Sequence, residues 1–234
     1  MSEWRVELLG DLIDLQYAYE AFSSVDPCVI REESRFFLKA NEFEYAPDSG
    51  HVRSRASEIT KLISNAVHLH YRATRPIMIG HVIHIDDTGQ SHHFVFANDD
   101  FQSREVVAGI VIDGTDFAPT ATSVLHIFRA ARDRTNVSDA LAYFSQGDWI
   151  NLYKIYEIAR DTIGNEKRLI ERRWVTRDAL KRFTQTAQSR DAIGDSARHA
   201  AKKYKAPPNP MSVHEARALV GDLLQRLVDT FTAL

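Results

Sequence analysis

The sequence predicts an α+β protein: a mostly antiparallel sheet with two helices in its N-terminal half and a helical bundle in its C-terminal half. Three observations carry this. Up to about residue 112, Val, Ile, Phe and Leu fall in short runs separated by turn residues, the pattern of strands, interrupted by two helical stretches. From Pro119 onward the apolar residues recur every three to four positions, the period of helices. Charge divides at the same place: residues 1–120 carry 10 Lys+Arg against 19 Asp+Glu, and residues 121–234 carry 19 against 13. The expected units are therefore an acidic domain over 1–118 and a basic one over 119–234.

The elements follow in order. Trp4–Leu9 reads as a strand, and Asp11 caps a helix with Leu12, Leu15, Tyr19 and Phe22 on one face. Cys28–Arg31 and Arg35–Lys39 are two strands around a polar Glu32-Glu33-Ser34 turn. A second helix runs over about 52–70, with Val52, Ala56, Ile59, Ile63 and Ala66 at helical spacing. Pro76–Ile85 is a strand in the sheet interior, Asp86–Gln90 a hairpin loop, and His92–Ala97 the return strand. Glu105–Ile112 is a further strand. The first six elements follow the order of a split βαβ, ferredoxin-like unit.

In the second half, Thr120–Arg132 and Val137–Gln146 are helices, the latter ending at Gly147. Asp148 caps a helix carrying Trp149, Leu152, Tyr153, Tyr156, Ala159 and Ile163, with Gly164 at its end. Residues 166–174 fit no single pattern. Arg177–Ala187 is helical, and a short helix is expected around Asp195–Lys203. Pro207-Pro208-Asn209-Pro210 stops it. Ser212, with Glu215 three residues on, opens the last helix as a capping box.

Composition excludes several classes. The chain has 234 residues, 44% hydrophobic and 26% charged, ordinary for a globular protein. No apolar run reaches the ~20 residues of a membrane helix. The start, Met-Ser-Glu-Trp-Arg, is not that of a secretory leader. One cysteine, Cys28, allows neither an internal disulfide nor a cysteine-based zinc cluster. A cytoplasmic, non-membrane protein is expected.

Candidate chemistry is scarce. No phosphate-binding glycine loop, dinucleotide fingerprint or serine nucleophile elbow is present. His81, His84, His92 and His93 lie on a predicted hairpin where His84 falls opposite His92 or His93. His81 and His84 are three apart and point to opposite faces of a strand. The set names no metal and no cofactor, although a metal-dependent enzyme built on this hairpin is one reading; Asp86, Asp87, Asp99 and Asp100 are either its further ligands or turn residues. The Asp113-Gly114-Thr115-Asp116 turn is a loop or a divalent-ion site. The aromatics Trp149, Tyr153 and Tyr156 either stack on bases or fill the core. Glu157 sits among them and needs a cation if it faces inward, with Arg198 the candidate.

The basic excess lies in residues 166–205. Arg172, Arg173, Arg177, Lys181, Arg182, Lys202, Lys203 and Lys205 are candidate phosphate contacts. Arg198 and His199 are adjacent just before the proline-rich break. An arginine that stabilises a phosphoryl charge and a histidine that moves protons suit metal-independent RNA cleavage by a 2′-hydroxyl. The alternative is structural, with Arg198 paired to Glu157.

On these residues the second half resembles a HEPN domain. Glu157 lies inside an aromatic-apolar helix, the Arg198-His199 pair follows a mid-bundle helix, and a loop leads to the final helix over Ser212–Phe231. HEPN domains are short helical bundles common in bacterial defence and toxin proteins. The resemblance implies a defence-related protein that engages RNA, with Arg198 and His199 catalytic, Glu157 supporting, and a homodimer through the bundle. Catalytic members place four to six residues between Arg and His, whereas here the two are adjacent, so a non-catalytic member is equally implied. A non-enzymatic module docking on a protein partner is the other class of reading.

Overall fold

The computed structural model describes residues 2–71, 75–96, 121–198 and 204–231. The expected strand over 105–112, the Asp113–Asp116 turn, Asp99 and Asp100, the expected boundary at 118/119, and His199, Lys202 and Lys203 lie outside the described residues. The chain forms two compact units, 1–125 and 126–234.

The first unit holds β1 (Glu3–Leu9), α1 (Leu12–Phe22), β2 (Cys28–Glu32), β3 (Arg35–Lys39), α2 (Ser49–Tyr71), β4 (Met78–Ile85) and β5 (Ser91–Phe94). The sheet is antiparallel in the order β2-β3-β1-β4-β5. Its first four strands have the order of a split βαβ, with β1 between β3 and β4 and β4 inside the sheet. Register follows from burial. Val29, Leu38, Val6 and Val82 sit opposite one another across four strands, and all are fully buried. A one-residue slip would turn this row to the other face. That other face carries the ion pairs Arg5–Glu32, Arg35–Glu7 and Lys39–Glu3. Helix α1 packs on β2, and α2 on β4 and β1.

Local details of this unit differ from expectation; the return strand expected over 92–97 runs over Ser91–Phe94, with 95 and 96 outside it. Leu12 is 66% exposed, and α1 instead buries Asp14 with Leu15, Ala18 and Phe22. Helix α2 begins at Ser49 rather than 52, because Asp48 Oδ1 accepts the His51 N–H at 2.8 Å and the Asp48 carbonyl accepts the Val52 N–H.

The second half contains α3 (Ala121–Asp133), α4 (Thr135–Gln146), α5 (Trp149–Ile163), α6 (Glu166–Glu171), α7 (Arg177–Gln188), α8 (Arg190–Ile193) and α9 (Val213–Asp229). Helix α5 is the centre of its unit and packs against α4, α6, α7 and α9. Its start is capped by Asp148, whose side chain accepts the Asn151 N–H. Gly147, with φ 65°, ends α4 and separates it from α5. Helix α9 opens on the expected capping box of Ser212 and Glu215. The helix expected at 195–203 does not form over 195–198. A short α8 precedes it, Gly194 takes φ 62°, and residues 194–196 make one 3₁₀ turn.

Candidate nucleic-acid interface

Helices α5 and α7, joined by one aromatic cluster, position the site. Phe183 of α7 lies about 6.1 Å, ring to ring, from each of Trp149, Tyr153 and Tyr156 of α5. All three α5 aromatics are buried, so they fill the core and present no stacking platform. Their hydroxyls are accounted for. Tyr153 Oη accepts from Gln188 Nε2 at 2.7 Å, and Tyr156 Oη donates to Glu166 Oε2 at 3.1 Å. Burial, then the Glu166 charge, pushes the Tyr156 phenol up to about 12.

Arg198 sits on this cluster. Its guanidinium lies 4.4 Å from the centroid of the Tyr153 ring, and Nη2 is 3.0 Å from Glu157 Oε1. Its backbone N–H donates to the Ala187 carbonyl at 3.0 Å. The Glu157 side chain is 28% exposed and that of Arg198 38%, so the pair is half in water. Three contacts therefore tie the segment after α8 to α5 and to the end of α7. The Glu157–Arg198 pair expected of an inward-facing Glu157 is present, and it is the arrangement that the structural alternative to a catalytic Arg198 requires.

The other basic residues divide into two groups. Several are engaged. Lys167 pairs with Glu171, Arg190 with Asp195, and Arg168 Nη1 donates to the Ile163 carbonyl. Arg182 is a latch: Nε donates to the Asn209 carbonyl at 2.8 Å, Nη2 to the Pro210 carbonyl at 3.2 Å, and Nη1 pairs with Glu215 at 2.9 Å. Its donors hold the proline-rich link to α7, so Arg182 has few left for a phosphate. Glu215, which also accepts the Ser212 N–H and hydroxyl, is held down to about 2, first by the Ser212 backbone and then by Arg182.

Arg172, Arg173, Arg177, Lys181 and Lys205 are exposed and have no ionic partner among the described residues. Four of them occupy the end of α6, the link, and the first two turns of α7. Arg177 and Lys181 are four apart and share one face of α7. Lys205 lies apart from them in sequence, in the link before α9. The turn after α6 is a Schellman motif: the Trp174 N–H donates to the Leu169 carbonyl and the Arg173 N–H to that of Ile170. Arg173 takes the left-handed position, φ 57°, usually given to glycine. Trp174, missed by pattern reading, follows it half-buried.

The histidine hairpin does not converge. His84 and His92 are opposite one another, with ring centroids 6.2 Å apart. His84 is stacked on Trp4 at 4.2 Å, and His92 lies 3.1 Å from Asp86 Oδ2. His93 pairs with Ile83 on the other face, and His81 is 3.6 Å from Glu7. Asp86 is a turn residue that accepts the Thr88 hydroxyl and the Thr88 and Gln90 N–H groups; the Thr88 hydroxyl first, then His92 and the Gln90 N–H, hold its carboxyl below the usual range. Among the described residues no three His, Cys, Asp or Glu side chains form a metal-binding group. Cys28 donates to the Ser23 carbonyl, and burial pushes its thiol up.

Fold and site together define an α+β protein whose helical C-terminal part presents a basic link and helix face. No helix among the described residues is long and apolar enough to cross a membrane. Comparison with protein-family models, curated proteins and solved structures returns no match.

Proposed function

We propose that the C-terminal helical unit binds RNA through the face made by the end of α6, the link and the start of α7. One observation carries the reading: Arg172, Arg173, Arg177 and Lys181 are exposed, close in sequence and without ionic partners among the described residues, while neighbouring cations are engaged. A phosphate backbone supplies the missing countercharge and releases its counterions. The HEPN resemblance carried by Glu157, Arg198 and the last helix agrees with the same reading, and a homodimer through the bundle belongs to the proposal.

The test is fluorescence anisotropy on a labelled RNA across a salt series. Single-strand binding changes by about 0.7 in log K per log salt for each phosphate neutralised. The Arg173→Gln/Arg177→Gln/Lys181→Gln variant should lower the slope by about 2. No binding by the native chain near 100 mM salt, or an unchanged slope, overturns the reading and favours a protein-docking module.

A second reading, metal-independent RNA cleavage, draws on Arg198: its side chain keeps 38% exposure beside Glu157 and is immediately followed by His199. Arg198 would stabilise the phosphoryl charge and His199 would act as acid and base. Cleavage of labelled RNA in EDTA that disappears in Arg198→Ala/His199→Ala supports it. Cleavage that survives in that variant sets it aside.

A further inference from the structure

The link between α6 and α7 forms one wall of a recess that the basic face does not explain. The recess has a volume of about 440 Å³ and is lined by Arg172, Trp174, Arg226, Asp229 and Thr230. That volume lies within the range of small-ligand sites. Its makeup is specific. Trp174 offers an indole beside Arg172, whose Cζ is 6.0 Å from the ring centroid. Arg226, in the last turn of α9, adds a second guanidinium. Neither arginine has an ionic partner among the described residues, and together they outnumber the Asp229 carboxylate, which accepts from Gln225 at 2.9 Å. The Schellman turn fixes the backbone of Trp174 through its N–H bond to Leu169.

We propose that this recess is a base-stacking subsite for single-stranded RNA: one nucleobase against Trp174, with the adjoining phosphate held by Arg172 and Arg226. The inference rests on the RNA-binding reading above and adds the form of RNA preferred. Every base has a π face, so an indole flanked by guanidiniums recognises an unpaired nucleotide without regard to sequence. In an A-form duplex the bases are stacked on one another and offer no such face. The subsite is thus expected to discriminate strandedness, which the charges of α7 cannot do.

The test uses a fluorescein-labelled oligouridine and a duplex RNA of similar length, with the full chain. Trp174→Ala should weaken binding of the oligouridine by about 5- to 150-fold, the worth of one base–aromatic stack, and change duplex binding less than twofold. Trp174→Phe, which keeps a ring, should restore most of the loss, and a melting curve checks that each variant is folded. Arg177→Gln/Lys181→Gln should weaken both RNAs alike. If Trp174→Ala binds the oligouridine as the native chain does, or loses both RNAs equally, the subsite is overturned while the α7 face stands. If Arg177→Gln/Lys181→Gln changes neither RNA but Trp174→Ala loses the oligouridine, the subsite stands and the α7 face falls. If the native chain binds neither RNA, both fall.

Discussion

Arg173 sits where an L-residue is strained, and replacing it separates stability from binding. Its φ of 57° closes the Schellman turn after α6. The left-handed conformation costs a residue with a Cβ roughly 1–2 kcal/mol. Glycine avoids that cost but loses about 0.5–1 kcal/mol through the extra freedom of its unfolded chain. Arg173→Gly should therefore stabilise the fold by about 0.5–1 kcal/mol. For a chain of this length that raises the melting temperature by roughly 1–4 °C. Arg173→Ala keeps the Cβ and so the strain, and should melt with the native protein. On the binding side the two variants should behave alike, because both remove the guanidinium: RNA affinity falls and the salt slope drops by about 0.7. Glu33, at φ 54° in the β2–β3 turn, is the control; Glu33→Gly should raise the melting temperature with no effect on RNA. Differential scanning calorimetry and anisotropy decide the matter. If Arg173→Gly melts at or below the native temperature, the strain argument is wrong. If it binds RNA as tightly as the native chain, the strained cation has no part in binding, and an outlier that serves no site would remain.

Two further predictions concern pH. Glu215 has its carboxyl lowered to about 2, so the unfolded chain binds its proton first, and the stability it contributes is present above the ordinary carboxylate value and lost as pH falls toward 2. Glu215→Gln keeps the capping-box geometry and removes the charge, so it should melt slightly below the native protein at pH 7, and the gap should close progressively in melting curves between pH 4.5 and 2; a gap that persists at pH 2 would show that the carboxylate's charge is not what holds the link. Asp14 is the opposite case. Burial, then the nearby Asp11, raises it to about 6. Its charged form is disfavoured in the fold, so stability is lost as pH rises through 4 to 6. Asp14→Asn should be neutral near pH 4 and stabilising at pH 8 by on the order of 1–2 kcal/mol, allowing for partial solvent screening; a variant no more stable at pH 8 than at pH 4 would refute this.

How far the molecule can be read from its residues depends on whether a signal is local. The sheet was legible because short Val-, Ile-, Phe- and Leu-rich runs are bounded by turn residues, and Val6 is buried between the polar Arg5 and Glu7. The caps at Asp11, Asp148 and Ser212 were legible because the oxygen that accepts the first N–H groups lies in the same short stretch. The α6 turn was not, since its left-handed position is held by arginine and carries no glycine to mark it. The expected helix at 195–203 failed over its described part for a tertiary reason: past the Gly194 break, Arg198 is tied to Ala187, Tyr153 and Glu157. The Glu157–Arg198 pair could still be anticipated, because a carboxylate on a helix of buried aromatics demands a cation. Trp174 and Arg226 could not be joined, since only the packing of the last helix brings them to one recess. The basic stretch shows the same limit most clearly. A count of cations sees one patch, but the fold assigns Arg168, Arg182 and Arg190 to carbonyls and carboxylates of their own unit. What that assignment leaves over is concentrated at the α6–α7 link, with the left-handed Arg173 among it and the half-buried Trp174 beside it. Glu33 takes the same left-handed conformation in a turn with no such cluster, so strain alone marks no site; the RNA-binding proposal rests on the placement of the unpaired cations rather than on net charge.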